Sequence, residues 1–105
     1  MKKLIFIILL MPIVFYACKK TSSDKTAPII TLKGTAIVNS AKDSTYVDAG
    51  ATATDETDGD ISSNIVVVNP VDIHTENTYY ITYNVKDKAG NSATEVKRKV
   101  VVTIF

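Results

Sequence analysis

The chain has 105 residues, 46% of them hydrophobic, with 12 basic and 11 acidic side chains and a formal net charge of +1. That length is enough for one small domain with a single hydrophobic core. The near-balance of charge gives no strong electrostatic basis for binding nucleic acid, so we expect no nucleic-acid partner.

The first seventeen residues have the features of a secretory signal. Lys2 and Lys3 precede an uncharged run, residues 4–17, that is rich in Ile, Leu and Phe. As a helix, this run would be too short to cross the roughly 30 Å hydrocarbon core of a bilayer. The basic start, the short apolar middle and the small residue Ala17 predict a cleaved signal peptide over residues 1–17.

The single cysteine, Cys18, follows this run directly. The stretch 15–18, Phe-Tyr-Ala-Cys, resembles the bacterial lipobox, which implies cleavage before Cys18, a diacylglycerol on its thiol and an acyl chain on its amino group. The open alternative is an ordinary signal with an incidental cysteine. A lipidated Cys18 would leave no thiol for a disulfide or for catalysis. Lys19 is not the Asp associated with inner-membrane retention, which favours the outer membrane.

The residues after Cys18 read as a tether followed by short β-strands. Residues 19–27 contain no large apolar side chain, so residues 18–27 are predicted to form a flexible, lipid-bearing tether. Apolar or β-branched runs separated by polar turns then predict strands at 29–32, 35–38, 45–54 and 64–69, with turns or loops at 39–43 and 55–63. The run 64–69 reads as a strand buried on both faces or in a sandwich core.

The final third shows the clearest periodicity. In 78–86 and 92–104, apolar and polar residues alternate with a period of two, which predicts a hairpin closed by a turn at 87–91. The predicted inward side chains are Tyr79, Ile81, Tyr83, Val85, Val96, Val100, Val102 and Ile104. Arg98 interrupts this set, and we expect its guanidinium to extend past the sheet edge. With six or seven strands and no helical periodicity, the chain is predicted to be an all-β sandwich.

Three stretches resemble a known family: DKTAPIITLKG from residue 24, YVDAGATATDETDGDIS from 46 and TYYITYNVKDKAGNSATEVKRKVVV from 78. In this order they are similar to the bacterial immunoglobulin-like (Ig-like) domain of pesticidal crystal proteins and cell-surface proteins. One departure is Asn77, where the family usually has Gly. The resemblance implies an Ig-like antiparallel β-sandwich of about seven strands over residues 28–105, and it carries no catalytic activity.

The acidic loop is the main candidate for site chemistry. In an Ig-type topology, the loop 55–63 lies at the same end as the turn 87–91 and the chain entry near residue 24. Six oxygen donors are therefore candidates for a calcium site: Asp24, Asp55, Asp58, Asp60, Asp87 and Asn91. The alternative is a solvated turn in which Asp58-Gly59 supplies the bend and Asp60 caps a backbone N–H group. No other cofactor is expected.

Other candidates carry weaker signals. Tyr79 and Tyr83 read as core residues, one of which could form a tyrosine-corner hydrogen bond, whereas exposed Tyr46 and Tyr80 could stack on a sugar ring. His74, the only histidine, lacks partners for a zinc site. The basic stretch Lys97-Arg98-Lys99 reads as a protected sheet edge, or less favourably as a strip for polyanions.

The function that follows is a non-catalytic, monomeric module held to the cell envelope by its lipid, used for adhesion or for binding a protein or a glycan. The alternative is a structural accessory subunit of a larger surface complex that has no ligand of its own. An enzyme would require a cleft for which so small a sandwich has little room. The lipid would place the acidic end of the domain toward the membrane and the loops around 39–44 and 69–77 away from it.

Overall fold

A computed structural model describes residues 24–105; the predicted signal peptide, Cys18 and most of the tether lie outside the described residues. The described residues form seven strands, one short 3-10 helix and no α-helix. The strands are β1 (Ile29–Leu32), β2 (Ile37–Ala41), β3 (Ala51–Asp55), β4 (Gly59–Asp60), β5 (Val66–Val68), β6 (Asn77–Asn84) and β7 (Val96–Thr103), and the 3-10 helix is Ser62–Asn64. Nowhere in residues 24–105 is there a helix of the length and apolarity that crossing a bilayer requires.

The strands form two sheets. One has three strands in the order β1-β3-β4, and the other has four in the order β2-β7-β6-β5. All neighbours are antiparallel except β2 and β7, which run parallel with Ile37 opposite Lys99. The prediction of an all-β sandwich is confirmed, and so is the hairpin, since β6 and β7 pair from Asn77–Val102 to Tyr83–Val96.

The core lies where the alternating side chains of both sheets meet. Its fully or largely buried apolar members are Ile30, Ala53, Ile61, Ile81, Tyr83, Val85, Ala93, Val100 and Val102. These include most of the side chains that the alternation places inward. Tyr79 and Val96 are partly buried and pack against this core, whereas Ile104 is 66% exposed because β7 ends at Thr103 and the alternation stops with it.

The segment 64–69 differs from its prediction. Its three valines are exposed rather than buried: Val66 by 62%, Val67 by 47% and Val68 by 58%. The reason is positional, because β5 is an edge strand of the larger sheet and its extensive strand contact is with β6 alone. An apolar run of this length does not distinguish a core strand from an exposed edge.

Two further boundaries differ from expectation. The strand predicted at 35–38 is β2, which continues to Ala41, so the turn predicted at 39–43 begins only at Lys42. Residues 45–50 form no strand, and β3 starts at Ala51. The chain turns before β3 because the Asp48 carboxylate accepts a hydrogen bond from the N–H of Gly50, whose φ of +84° favours glycine.

The strand directions give the sandwich two opposite ends. At one end, the N–H of Asp43 donates to the carbonyl of Ile73 over 2.7 Å, and the N–H of Lys42 donates to the carbonyl of Thr103 over 2.9 Å. At the other end lie the start of the described chain, the end of β3 and the turn that follows β6. Strand β6 runs between the two ends, so the acidic residues lie far from residues 42–43 and 73.

Candidate functional site

Three aspartates from different parts of the chain meet at one end of the sandwich. Asp55 ends β3, Asp87 opens the turn after β6, and Asp24 precedes β1. One carboxylate oxygen from each lies within 4.8 Å of the other two. Asp55 is 5% exposed and Asp87 6%, while Asp24 is half-buried. The predicted convergence of Asp24, Asp55 and Asp87 is therefore observed.

Asn91 holds two of these aspartates in place. Its backbone N–H donates to Oδ1 of Asp87 over 2.8 Å, and its side-chain amide donates to Oδ2 of Asp87 over 2.9 Å and to the carbonyl oxygen of Asp24 over 2.8 Å. The turn is closed by the N–H of Gly90, which donates to the carbonyl of Asp87. Asn91 therefore meets the cluster through its NH₂ group and positions the chain entry against the turn.

Two carboxylate oxygens of the cluster are buried without a hydrogen-bond partner, Oδ2 of Asp24 and Oδ1 of Asp55. The other oxygens are satisfied. Oδ1 of Asp24 accepts from the N–H of Thr26 over 3.0 Å, and Oδ2 of Asp55 accepts from the N–H groups of Thr57 and Asp58 over 3.1 and 2.9 Å. Buried polar atoms in native structures normally have partners, so these two oxygens require an explanation.

The remaining predicted donors have other hydrogen bonds and are not part of the three-carboxylate group. Oδ2 of Asp58 accepts from the N–H of Lys88 over 2.8 Å and so links the acidic loop to the turn. Oδ1 of Asp60 accepts from the N–H and the hydroxyl of Ser62 over 2.9 and 2.6 Å. Asp60 therefore caps backbone as the alternative predicts. In Asp55 only Oδ2 caps backbone N–H groups, and Oδ1 has no such partner.

The three negatively charged carboxylates lie close enough together to change the pKa values of two of them. The hydrogen bond from Thr26 would lower the pKa of Asp24, but burial and the neighbouring carboxylates of Asp87 and Asp55 raise it overall. Burial alone would raise the pKa of Asp87, whereas the two hydrogen bonds that it accepts from Asn91 lower it. Among residues 24–105, no ion pair includes any of the three carboxylates.

A second polar cluster lies inside the sandwich, around Arg98. The prediction that Arg98 extends past the sheet edge is wrong, because its side chain is 1% exposed and forms an ion pair with Asp48 over 2.5 Å. Its Nε donates to the carbonyl of Thr35, and its Nη atoms also donate to the Tyr83 hydroxyl and to the carbonyls of Lys33 and Gly50. All five N–H hydrogens of the guanidinium therefore have acceptors.

Both carboxylate oxygens of Asp48 also have hydrogen-bond partners. Its Oδ1 accepts from Arg98 and from the Tyr46 hydroxyl, and its Oδ2 accepts from the Tyr83 hydroxyl and from the N–H of Gly50. Burial, followed by the bond to Asp48, raises the pKa of Tyr46 to about 12, so its hydroxyl keeps the proton that it donates. The sequence prediction missed Asp48; the available signal was a charged residue at an inward position of β7, which requires a buried partner.

The other candidate residues are located as follows. The stretch Lys97-Arg98-Lys99 is not a sheet edge, because β7 lies between β2 and β6. His74 is exposed, with its Nδ1 2.7 Å from Oδ1 of Asp43.

The tyrosines differ in their surroundings. The hydroxyl of Tyr79 donates to the carbonyl of Thr75 over 2.9 Å, which is the predicted corner-type bond to upstream backbone. Tyr80 is 50% exposed, whereas Tyr46 is half-buried against Asp48.

An apolar surface that the sequence did not predict lies along β5. We call the exposed side chains of Val66, Val67 and Val68 the valine edge. Beside it is a groove of about 500 Å³ lined by Asn64, Val66, Asn84, Val85, Lys86 and Ser92. The groove therefore combines an apolar wall with polar side chains at its rim.

The fold and these surfaces define the class of the protein, an Ig-like β-sandwich module. Residues 30–102 match the family described as bacterial surface protein, Ig-like domain. The chain belongs to this family, and the predicted Ig-like domain is confirmed. No curated protein has a sequence detectably similar to that of this chain.

Solved structures show the same fold. The lipoprotein BT2262 from Bacteroides thetaiotaomicron is 21% identical with a TM-score of 0.64, and the match covers 73% of this chain and 38% of that one. The M60 catalytic domain with CBM51-1 and CBM51-2 from Clostridium perfringens ZmpB is 27% identical, with a TM-score of 0.60 and coverage of 77% and 8%. The structure of CBM51-2 in complex with GlcNAc and INT domains of ZmpB is 31% identical, with a TM-score of 0.58 and coverage of 74% and 17%. The chain therefore spans less than half the length of each structure.

Proposed function

We propose that this protein is a non-catalytic binding module held to the bacterial cell envelope by a lipid on Cys18, and that it binds a protein partner along the valine edge. Membership of a family of bacterial surface Ig-like domains supports the envelope location and the binding role. The observation that carries the choice of surface is the exposure of three consecutive valines on a sheet edge.

An edge strand offers a partner both backbone and side-chain contacts. One side of β5 pairs with β6, and within residues 24–105 no strand pairs with its other side. Free backbone groups on such an edge can pair with an added strand, while adjacent side chains give selectivity. Soluble domains normally protect an edge with charge or proline, and β5 itself carries neither. The valine edge therefore suits an extended apolar segment of another protein.

The groove beside β5 adds polar groups to this surface. Lys86, Asn84 and Ser92 stand next to Val66 along its lining. An apolar centre with polar side chains around it is the usual composition of a protein-binding surface. A segment with valine-sized apolar side chains and an acidic or amide group facing Lys86 would satisfy both parts.

The test is capture of envelope proteins by the full chain in detergent, compared with the substitution Val66→Lys. Ile37→Lys is the matched control, because Ile37 is 60% exposed on β2, the opposite edge strand of the same sheet. We expect one partner to be retained by the wild-type chain and by Ile37→Lys and to be lost with Val66→Lys. Equal capture by all three chains would contradict the choice of the valine edge.

A glycan is the second candidate ligand. Tyr80 is 50% exposed on the outer face of β6, with Nζ of Lys97 5.9 Å from its ring centroid, and exposed aromatic rings can stack on sugars. The solved structure that is 31% identical contains CBM51-2 in complex with GlcNAc. If GlcNAc or an envelope glycan bound the wild-type chain but not Tyr80→Ala, the ligand would be a glycan and not a protein.

The structural alternative has its own signature. A purely accessory subunit would purify as part of a larger envelope complex, and neither Val66→Lys nor Tyr80→Ala would release it. The solved lipoprotein is only 21% identical and shows the fold alone. The proposed anchor, including its location in the outer membrane, therefore rests on residues 15–19 of the sequence.

A further inference from the structure

The three-aspartate cluster contains more negative charge than its surroundings neutralise. Asp55 and Asp87 are more than nine-tenths buried, and no lysine, arginine or histidine within residues 24–105 pairs with either of them or with Asp24. Buried carboxylates are normally paired, protonated or bound to a metal. The uncompensated charge indicates that a positive species belongs among them.

The orphaned oxygens show where that species would bind. Asp55 is 5% exposed, and its Oδ1 is buried with no hydrogen-bond partner although its Oδ2 has two. Oδ2 of Asp24 is likewise buried and without a partner. Backbone N–H groups thus orient both carboxylates, and each leaves one oxygen free for a ligand other than protein.

We propose that Asp24, Asp55 and Asp87 bind a Ca²⁺ ion, with Oδ2 of Asp24 and Oδ1 of Asp55 as direct ligands and Asn91 as the residue that positions Asp87. Oxygens that share a Ca²⁺ at about 2.3 to 2.6 Å can be at most about 5 Å apart, and one oxygen from each carboxylate lies within 4.8 Å of the others. Three hard oxygen donors with no nitrogen or sulfur donor favour Ca²⁺ over a transition metal.

The ligand count indicates weak binding. Ca²⁺ takes six to eight oxygens, so water or a second oxygen of each carboxylate would complete the shell. Extracellular modules with few protein ligands bind Ca²⁺ with dissociation constants of about 0.1 to 1 mM. Asp58 and Asp60, whose oxygens accept bonds from Lys88 and Ser62, are not ligands in this proposal.

The ion would fasten the entry of the chain to the sandwich. Asp24 lies five residues before β1, and this entry segment is otherwise held by the bond from Asn91 to the carbonyl of Asp24 and by the Thr26 hydroxyl, which donates to Glu56 over 3.1 Å. Bound Ca²⁺ would therefore order the junction between tether and domain. None of these aspartates belongs to the valine edge, so substitutions of Asp55 and of Val66 test the two proposals separately.

The test measures thermal unfolding of the full chain in detergent by circular dichroism, after removal of metal and then with added CaCl₂. At ten times the dissociation constant, Ca²⁺ raises the folding equilibrium constant about tenfold, which corresponds to a rise in Tm of about 5 to 10 °C. We expect this rise for the wild-type chain and its loss with Asp55→Asn. Asp24→Asn, at a half-buried position, is a second variant in case Asp55→Asn fails to fold.

Asp60→Asn is the matched control, because Asp60 belongs to the same acidic loop but is exposed and not part of the cluster. It should keep the full response to Ca²⁺. A Tm that does not change with Ca²⁺, or an equal rise in Asp24→Asn and Asp55→Asn, would overturn the proposal. So would a Tm that rises on mild acidification and ignores Ca²⁺, which would show that a proton shared by the carboxylates relieves the charge instead.

Discussion

At the scale of single residues, the Arg98–Asp48 pair is the most demanding feature of the interior. Removing two charges from water costs several kcal/mol, which a buried pair recovers only when its remaining hydrogen-bonding groups are also satisfied. Here the guanidinium uses all five hydrogens, and both oxygens of Asp48 accept two bonds each. The pair also joins the segment 45–50, which belongs to no sheet, to the centre of the larger sheet.

We expect Arg98→Ala to lower the free energy of unfolding by about 3 to 5 kcal/mol, because it leaves the Asp48 carboxylate buried without its ion-pair partner. Urea unfolding measures this change. Lys97→Ala is the control, since Lys97 is the preceding cation in β7 and makes exposed contacts, with Glu95 at 4.0 Å and with the ring of Tyr80. The control should change stability by less than about 1 kcal/mol, and a similarly small effect of Arg98→Ala would contradict our account of the pair.

The same pair should make stability depend on pH. Burial alone would raise the pKa of Asp48, but hydrogen bonds from Tyr83, Arg98 and Tyr46 and the charge of Arg98 lower it overall. In the unfolded chain the pKa of an aspartate is about 3.9. Because the folded-state pKa of Asp48 is lower, its carboxylate stabilises the fold fully above about pH 3.9, and this contribution is lost as the pH falls through the folded-state pKa. The stability difference between wild type and Arg98→Ala should therefore shrink below about pH 4. A difference that stays constant down to about pH 2 would contradict this.

At the scale of strands, the sequence predicts a strand best when the residues that surround it are close to it in the chain. Alternation identified β6 and β7 because both faces of that hairpin are fixed by neighbours, and it placed Ile81, Tyr83 and Val100 correctly in the core. The valine edge was predicted to be buried, because the position of β5 at an edge depends on the order of distant strands. Asp48 was missed for the same reason, since its partner Arg98 is fifty residues away.

The acidic site was partly predictable. Asp24, Asp55 and Asp87 were brought together by a topological argument, which needs only the order of strands and turns. The separate roles of Asp58 and Asp60 depend on which backbone N–H each carboxylate meets, and that depends on local turn geometry. The topological argument therefore identified the three members of the cluster but also included Asp58 and Asp60, which do not belong to it.

The short strand β4 depends on a side chain to complete its sheet. It has only two residues, and beyond it the N–H of fully buried Ala53 donates to the hydroxyl of Ser62 over 2.9 Å. Ser62→Ala would leave this N–H buried without a partner, so we expect a loss of about 1 to 3 kcal/mol in chemical denaturation. Ser63→Ala, at the exposed next position of the same 3-10 helix, should cost under about 0.5 kcal/mol. Equal effects would show that Ser62 does not complete the sheet.

At the scale of the whole molecule, the two ends of the sandwich have different surroundings. The described chain begins beside Asp55, Asp87 and Asn91, so a lipid on Cys18 would place this end toward the membrane. The contact between Asp43 and His74 marks the opposite end, which would face away. The valine edge pairs with residues 82–84, the end of β6 that leads to Asp87, so it lies nearer the membrane-facing end of the domain.

Intact-mass measurement of the chain extracted from membranes tests the anchor. We expect a polypeptide that starts at Cys18 and carries a diacylglycerol and a third acyl chain, because residues 15–18 resemble a lipobox and three chains hold a protein firmly in a bilayer. Cys18→Ser should lose these additions, whereas Lys20→Ala, two residues further on, should keep them. An unmodified Cys18, or cleavage elsewhere, would show that the signal is an ordinary one.

The way the first two strands are shared between the sheets has a mechanical consequence. β1 pairs with β3 in one sheet and β2 pairs with β7 in the other, and both strands run from the acidic end toward residues 42–43. If a lipid on Cys18 anchors the chain, a pull on that anchor while a partner holds the domain would act lengthwise along β1. The backbone pairing of its four residues with β3 would then be loaded in shear, so the hydrogen bonds would resist together instead of breaking one after another.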